Sequence, residues 1–145
     1  GAGISFLKWS KTDQGRPGAY FTISGNTIYN ISKEGVFVYT AEAINIQGNT
    51  IGRAASGVCI GKSTHCVVQN NILKECKSGV TLFNDFGASV LSRREKEPLK
   101  SENNVISNNA IIDCEKAIEY FDNVKDNIVK NNHVINENKK GRPPL

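Results

Sequence analysis

The chain has few aromatic residues, no methionine and no long hydrophobic run. Aromatic side chains make up 8% of its 145 residues, and its uninterrupted apolar stretches are only a few residues long. A membrane-spanning helix needs roughly 20 apolar residues, so the sequence predicts no membrane span. Because methionine is missing even at position 1, we expect the chain to lack its natural start.

Concentrated charge and metal-binding motifs are also missing. The net charge of +4 is spread along the chain, which argues against a nucleic-acid partner. The four cysteines show no CxxC spacing, so a zinc site is not expected. His65 lies in a turn and His133 beside a repeat residue, so we expect neither to bind copper or zinc.

Asparagine is abundant, and Ile and Val outnumber Leu. This composition favours strands separated by turns over a helical bundle. Five segments share one pattern, in which an aliphatic residue precedes an asparagine by three positions and another aliphatic residue follows it by two. The five marker asparagines are Asn26, Asn49, Asn71, Asn109 and Asn132. Their spacings of 23, 22, 38 and 23 residues indicate a coil of 22–23 residues, with about 16 extra residues in the long interval.

The residue before each marker is always Gly or Asn. These two residues tolerate positive φ best, so we expect a tight turn with one left-handed residue there. Stacking of the coils would place the marker side chains above one another. Their amides could then hydrogen-bond along the stack as an asparagine ladder.

A second motif begins eight or nine residues after a marker. It occupies residues 35–38, 57–60, 79–82 and 117–120, and an orphan copy at residues 3–6 opens the chain. Alternate residues of these Gly-Val strands, such as Val36 and Val38, would point inward. One coil cannot bury its inner face alone, so coils should stack about 4.8 Å apart. We predict an all-β, parallel β-helical solenoid of about five coils that starts and ends mid-coil.

The domain organisation follows from this register. Residues 1–145 are expected to form a single domain, because no linker interrupts the chain. Because about five coils are few, we expect this domain to be a fragment, or a short version, of a longer β-helix. Residues 9–19 and 85–103 are expected to be long loops that leave the same end of the Gly-Val strands, and residues 137–145 a tail.

The coil with these two motifs resembles the right-handed parallel β-helix of the pectate-lyase-like superfamily, along nearly the whole chain. That superfamily includes polysaccharide lyases, epimerases, galacturonases and phage tailspikes, which share a scaffold and differ in their sites. The resemblance implies a module that binds or processes an acidic polysaccharide or oligosaccharide on the Gly-Val strand face. It also implies an extracellular, periplasmic or virion-surface location. The alternative is a structural or receptor-binding part of a trimeric tailspike or extracellular fibre, without catalysis of its own.

Four aromatic residues fall on outward positions of the Gly-Val strands: Phe37, Tyr39, Phe83 and Phe121. Trp9 opens the first long loop beside them. These side chains are candidates for a platform on which sugar rings stack. Alternatively, the loops or a neighbouring chain of a homotrimer or dimer cover them, since rows of exposed aromatic residues are unusual in a monomer.

The resemblance also suggests catalytic residues. Lyases and epimerases of the superfamily need a base and a group that neutralises a uronate carboxylate, often with calcium. Lys62 is the candidate base and Arg53 the candidate carboxylate clamp. Asp85 and Asp122, at matching positions on adjacent coils, could hold Ca²⁺. The alternative is ordinary solvated and turn residues, so whether the chain is a lyase, epimerase or glycoside hydrolase stays open.

Cys76 and Cys114 both fall five residues after a marker, in one column with Ile31 and Ala54. We expect a core stack of small apolar side chains with free thiols. The distance between coils would also permit a disulfide.

Overall fold

The computed structural model describes residues 2–7, 18–84, 100–121 and 124–137. The described residues form strands joined by turns, and among them no helix is long and apolar enough to cross a membrane. The strands are β1 (Ile4–Leu7), β2 (Gly18–Ala19), β3 (Thr22–Ser24), β4 (Thr27–Tyr39), β5 (Ala41–Glu42), β6 (Asn45–Gln47), β7 (Thr50–Gly61), β8 (Val67–Gln69), β9 (Ile72–Lys74), β10 (Ser78–Phe83), β11 (Val105–Ser107), β12 (Ala110–Ile112), β13 (Lys116–Tyr120), β14 (Ile128–Lys130) and β15 (His133–Ile135).

The strands pair in parallel with the equivalent strands of the neighbouring coils. A five-stranded sheet, in the order β14-β11-β8-β6-β3, carries the strands that precede the markers. An eight-stranded sheet carries both the strands that follow the markers and the Gly-Val strands. Val36 pairs with Val58, and Ile46 with Val68, so residues at equal repeat positions are neighbours. The parallel β-helix predicted from the sequence is therefore confirmed.

The hydrophobic core lies inside the solenoid. Val36, Val38, Val58 and Ile60 are completely buried, as the alternation of the Gly-Val strands predicts. Each such side chain contributes roughly 1.5–3 kcal/mol when it leaves water. Because each coil supplies only a few inward residues, the core exists only through stacking.

Left-handed residues mark the corners of each coil. The residue before every marker has positive φ, from 55° at Asn131 to 68° at Gly25, as expected from its Gly-or-Asn composition. Two further columns of left-handed residues lie six positions before and four positions after the markers. They are Tyr20, Ala43, His65, Asn103 and Asp126, and Asn30, Arg53, Glu75 and Asp113. These side chains share no pattern, so the sequence analysis missed both turns.

Hydrogen bonds join the marker asparagines along the stack. The Nδ2 atoms of Asn26, Asn49 and Asn71 each donate to Oδ1 of the next marker at 3.0 Å, and Asn109 donates to Asn132 at 2.9 Å. The same Oδ1 atoms accept the backbone N–H of the preceding marker at 3.0–3.1 Å. Each link between coils therefore satisfies a backbone donor and a side-chain donor together.

A second, shorter asparagine stack occupies the next corner. Asn104 donates its Nδ2 and its backbone N–H to Oδ1 of Asn127, both at 3.0 Å. Oδ1 of Asn104 accepts the backbone N–H of Cys66 at 2.9 Å. The two residues occupy equal positions five residues before a marker, which is the signal that the sequence analysis overlooked.

The glycine that opens each Gly-Val strand allows the coils to approach closely. A Cβ atom on Gly57 would lie 2.6 Å from the carbonyl oxygen of Gly79, and one on Gly79 would lie 2.6 Å from that of Ala117. At residue 117 this column holds alanine instead of glycine. Its strand, β13, pairs only with β10 among the described strands. Close stacking of the backbones therefore explains the glycine of the motif.

Two of the expected loops fall largely outside the described residues. The last two residues of the loop predicted at residues 9–19 instead form β2, which pairs with β5. In the loop predicted at residues 85–103, Glu102 forms a parallel bridge with Thr64. Most of the tail predicted at residues 137–145 lies beyond the described residues.

Candidate functional site

The outward side chains of the stacked Gly-Val strands form two adjoining groups. We call the first the aromatic cluster, which consists of Phe37, Tyr39, Cys59 and Phe83. We call the second the polar patch, which consists of Ser56, Ser78, Thr81, Lys116 and Glu119. The strand register places both groups on one face, because Phe37, Cys59, Thr81 and Glu119 are successive partners.

The rings of the aromatic cluster are stacked and buried. Their centroids lie 5.9–6.2 Å apart with interplanar angles of 3–16°. Phe37, Tyr39 and Phe83 expose only 9%, 3% and 6% of their surface. The Phe83 ring lies over Gly61, where an added Cβ would come within 2.1 Å of it. These three rings are therefore buried, and not exposed as an open platform would require; their contact with a sugar stays a prediction.

Phe121 is the one ring that is open to solvent among the four predicted aromatic residues that the structure describes. It exposes 48% of its surface, and the adjacent Tyr120 exposes 50%. Its backbone N–H donates to the carbonyl oxygen of Leu82 at 2.9 Å, which fixes its position beside β10. Trp9, the fifth predicted contact residue, lies outside the described residues.

The polar patch holds an oriented carboxylate next to Phe121. The Ser78 hydroxyl donates to Oε2 of Glu119, and Nζ of Lys116 lies 3.0 Å from Oε1. These contacts, the Ser78 hydrogen bond above all, lower the pKa of Glu119 below its ordinary value. The carboxylate is therefore ionised near neutral pH. The buried hydroxyls of Ser56 and Thr81 hydrogen-bond to each other at 2.9 Å beside it.

The structure does not bring the two predicted catalytic residues together. Lys62 is only 2% exposed, and its Nζ lies 5.9 Å from the centroid of the Tyr39 ring. The chain turns at this residue with φ +46°, and the side chain packs beside the aromatic cluster. Arg53 lies at the other end of the same Gly-Val strand, where it forms an exposed 3.0 Å ion pair with Glu75. No observation tests catalysis by either residue, so both roles stay predictions.

The calcium site also stays a prediction. Asp85 and Asp122 both lie outside the described residues. Among the residues that are described, no three His, Cys, Asp or Glu side chains cluster in a way that could hold a metal ion. Asn84, next to Asp85, uses its Oδ1 to accept the backbone N–H of Ser101 at 3.0 Å.

Burial raises the pKa of two of the cysteines. For Cys59 in the aromatic cluster, desolvation is the main cause, and the carboxylates of Glu34 and Glu119 add to it. Desolvation likewise raises the pKa of Cys66 to about 11, against a smaller opposing effect of a hydrogen bond to the backbone of Ile44. Both thiols are therefore neutral at physiological pH, and Cys59 is not an activated nucleophile.

These shifts predict that the protein loses stability in alkaline solution. The thiols ionise near pH 9.0 in the unfolded chain but at higher pH in the folded one, so the unfolded state loses its protons first. Each buried thiol should cost up to about 1.4 kcal/mol per pH unit above that point. Urea unfolding of the wild type and of Cys59→Ala at about pH 8 and about pH 10 measures this effect. We expect a smaller loss for Cys59→Ala, and equal losses would refute the assignment.

Sequence reasoning found the face but missed its polar half. Thr81 and Glu119 belong to the same outward column as Phe37 and Cys59, yet only the aromatic positions were assigned a role. Glu34, Ser56, Ser78 and Lys116 directly precede the aligned Gly-Val motifs and form one column, but no role was assigned to it. The hydrogen bond between Ser78 and Glu119 joins residues that are not register partners, so the columns alone do not reveal it.

Comparison with known proteins supports the scaffold alone. No curated protein and no solved structure matches the chain. A family model described as a right handed beta helix region matches residues 12–142. With its parallel sheets and its family match in agreement, the chain belongs to the right-handed β-helix family.

Proposed function

We propose that this β-helix binds an acidic polysaccharide or oligosaccharide on the Gly-Val strand face, at the end of that face formed by β13. The observation that carries the proposal is the half-exposed ring of Phe121 beside the fixed Lys116–Glu119 ion pair. We call this surface, formed by Lys77, Lys116, Glu119 and Phe121, the β13 surface.

The β13 surface combines an apolar plane with oriented polar groups. An exposed ring buries a large area at small entropic cost, and its face suits the apolar side of a sugar ring. The Glu119 carboxylate can accept hydrogen bonds from sugar hydroxyls, and its position is fixed in advance by Ser78. Such preorganisation favours binding, because the ligand need not order the side chain.

The charge of the surface favours an acidic ligand. The Lys116 side chain is 58% exposed, and Lys77 is exposed nearby. Both lysines act on the Glu119 carboxylate electrostatically, which places them around it. Their ammonium groups can pair with the carboxylates of an acidic sugar chain, and the net charge of +4 adds a weak long-range attraction.

The proposal is binding without an assigned catalytic step. Lys62 is buried, and Arg53 pairs with Glu75 at the opposite end of its strand, so these two side chains do not converge on the β13 surface. A ligand of this class agrees with the extracellular, periplasmic or virion-surface location expected from the family resemblance, which stays a prediction.

The alternative function is a trimeric tailspike or fibre that associates through the aromatic face. Its support is weaker, because Phe37, Tyr39 and Phe83 are already buried within one chain. Sedimentation of the chain separates the two proposals. A monomer excludes the trimeric fibre, whereas a trimer that dissociates when Phe121 is replaced would favour it.

Binding should depend on the Phe121 ring. A glycan array first identifies an oligosaccharide of uronic acids as probe, and titration calorimetry then measures its affinity. We expect Phe121→Ala to weaken binding about 10-fold, because the loss of the ring removes roughly 1–1.5 kcal/mol of contact. Tyr20→Ala is the matched control, since Tyr20 is 83% exposed at a distant corner. Equal affinities of the Phe121 and Tyr20 variants would exclude the β13 surface as the site.

Binding should also depend on charge at the same surface. Lys116→Gln should weaken the binding of the uronate probe but not the binding of its carboxyl-reduced, neutral counterpart. Lys130→Gln, a change of the same charge on the exposed edge strand β14, should leave both affinities unchanged. If the two lysine variants lose affinity equally, general electrostatic attraction explains the binding and the proposed site is wrong.

A further inference from the structure

The four cysteines of the chain are all buried and free, but two of them are neighbours on consecutive coils. Cys76 follows β9 and Cys114 follows β12, and these strands pair in parallel with Lys74 opposite Ile112. Backbone hydrogen bonds continue the pairing past the cysteines. The N–H of Glu75 donates to Ile112 at 2.8 Å, and the N–H of Glu115 donates to Cys76 at 3.2 Å.

This register holds the two cysteine backbones at the spacing of adjacent strands, about 4.8 Å. Disulfides form between residues whose Cα atoms are about 4.4–6.8 Å apart. The strand spacing falls in this range, so the backbone need not rearrange for the bond to form. Both side chains point into the core, with 2% and 8% of their surface exposed. The Cys76 thiol donates to the carbonyl oxygen of Lys74 at 3.5 Å, and the Cys114 thiol lies 3.6 Å from that of Leu73, on the strand that precedes Cys76.

We propose that Cys76 and Cys114 form a dithiol site that a small-molecule disulfide oxidises to a cross-coil disulfide. The bond would tie together the two coils on either side of the segment 85–99. This inference does not depend on the proposed carbohydrate function.

The chemistry follows thiol–disulfide exchange. The Cys76 thiolate attacks one sulfur of the oxidant and forms a mixed disulfide, which releases the first thiolate of the oxidant. Cys114 then gives up its proton, and its thiolate attacks the sulfur of Cys76, releasing the second thiolate. The two cysteines lose two electrons and two protons, and the oxidant gains both to become two thiols.

The order of attack follows from the asymmetry of the pair. The neighbouring Cys114 thiol lowers the pKa of Cys76, although burial opposes this effect. The neighbouring Cys76 thiol, followed by burial, raises the pKa of Cys114. Cys76 is therefore the first nucleophile once local opening of the coil admits the oxidant.

The other two cysteines serve as internal controls. The register neighbours of Cys59 are Phe37 and Thr81, and the backbone N–H of Cys66 donates to Asn104. Neither residue has another cysteine at the equivalent position of the next coil, and burial raises the pKa of both. They should remain free under conditions that oxidise the pair.

The test is incubation of the folded protein with oxidised glutathione at about pH 8, followed by alkylation and peptide mass spectrometry. We expect a Cys76–Cys114 cross-link, alkylated Cys59 and Cys66, and a melting temperature higher by roughly 5–10 °C that dithiothreitol reverses. Cys59→Ser and Cys66→Ser should retain the cross-link, whereas Cys76→Ser and Cys114→Ser should lose it. The map of the wild type decides the question even if a serine variant fails to fold.

Three outcomes would overturn the proposal. The first is a protein that keeps four free thiols while folded. The second is a stable glutathione adduct on Cys76, which would mean that Cys114 cannot reach it. The third is a cross-link that involves Cys59 or Cys66, which would show that unfolding rather than the native pair determines the product.

Discussion

Replacing Asn71 with alanine is expected to destabilise the protein by about 3–5 kcal/mol, a large part of the total stability of an ordinary domain. Asn71 is 1% exposed. Its Oδ1 accepts both the backbone N–H and Nδ2 of Asn49 at 3.0 Å, and its Nδ2 donates to Ile46 and Asn109 at 2.9 and 3.0 Å. Alanine would leave the buried backbone N–H of Asn49 without an acceptor, at roughly 1–3 kcal/mol, and would remove the hydrogen bonds of the Asn71 amide at about 1 kcal/mol each. Nδ2 of Asn49 keeps the carbonyl oxygens of Ile23 and Gln47 as acceptors.

Urea unfolding monitored by circular dichroism measures this loss. Asn70→Gly is the matched control, because Asn70 is the exposed neighbour whose φ of +56° glycine adopts without cost. It should change the free energy of unfolding by at most about 0.5 kcal/mol. A loss of less than about 1 kcal/mol for Asn71→Ala would show that the marker asparagines are turn formers rather than links between coils.

Replacing Gly57 with alanine is expected to cost about 3 kcal/mol or more. The added Cβ would lie 2.6 Å from the carbonyl oxygen of Gly79 and 3.0 Å from Cδ2 of Leu73. The Leu73 side chain can shift, but the carbonyl oxygen belongs to a paired backbone, so the coils must separate. This cost exceeds the 0.4–1 kcal/mol or so by which alanine usually stabilises through the unfolded chain.

Ala117→Gly is the matched control in the same column. Glycine there only gives the unfolded chain more conformational freedom, so we expect the free energy of unfolding to fall by about 0.5–1 kcal/mol. Thermal unfolding of the two variants and the wild type gives the comparison. If Gly57→Ala melts at or above the temperature of Ala117→Gly, the close approach of the coils is not what requires the glycine.

The fold was predictable because two motifs recur in a fixed phase. A marker asparagine and a Gly-Val strand eight or nine residues later assign almost every residue a neighbour in the next coil. That is why the pairing of Val36 with Val58 followed from the sequence. The corners at Tyr20 and Arg53 did not follow, because positive φ there is imposed by closure of the coil and not by the residue type.

The candidate site was less predictable. The column in which a residue falls indicates whether its side chain points inward or outward, but not how much of that side chain is exposed to solvent. Phe37, Tyr39 and Phe83 do face out of the solenoid, but whether an outward ring meets water depends on what packs against it. Lys62 illustrates the same limit, because a lysine at the end of a strand is normally solvated and this one is buried. Glu119 was in an aligned column, but its importance depends on Ser78 and Lys116, which come from other columns.

The most direct test of the account is a nuclear magnetic resonance titration of the labelled protein with the uronate probe. If the asparagine corners stabilise the fold and the β13 surface binds the ligand, the probe shifts the amide signals of Lys77, Lys116 and Phe121 but not those of Asn49, Asn71 and Asn109. Changes confined to the asparagine corners, or no changes at saturating probe, would contradict this division of roles.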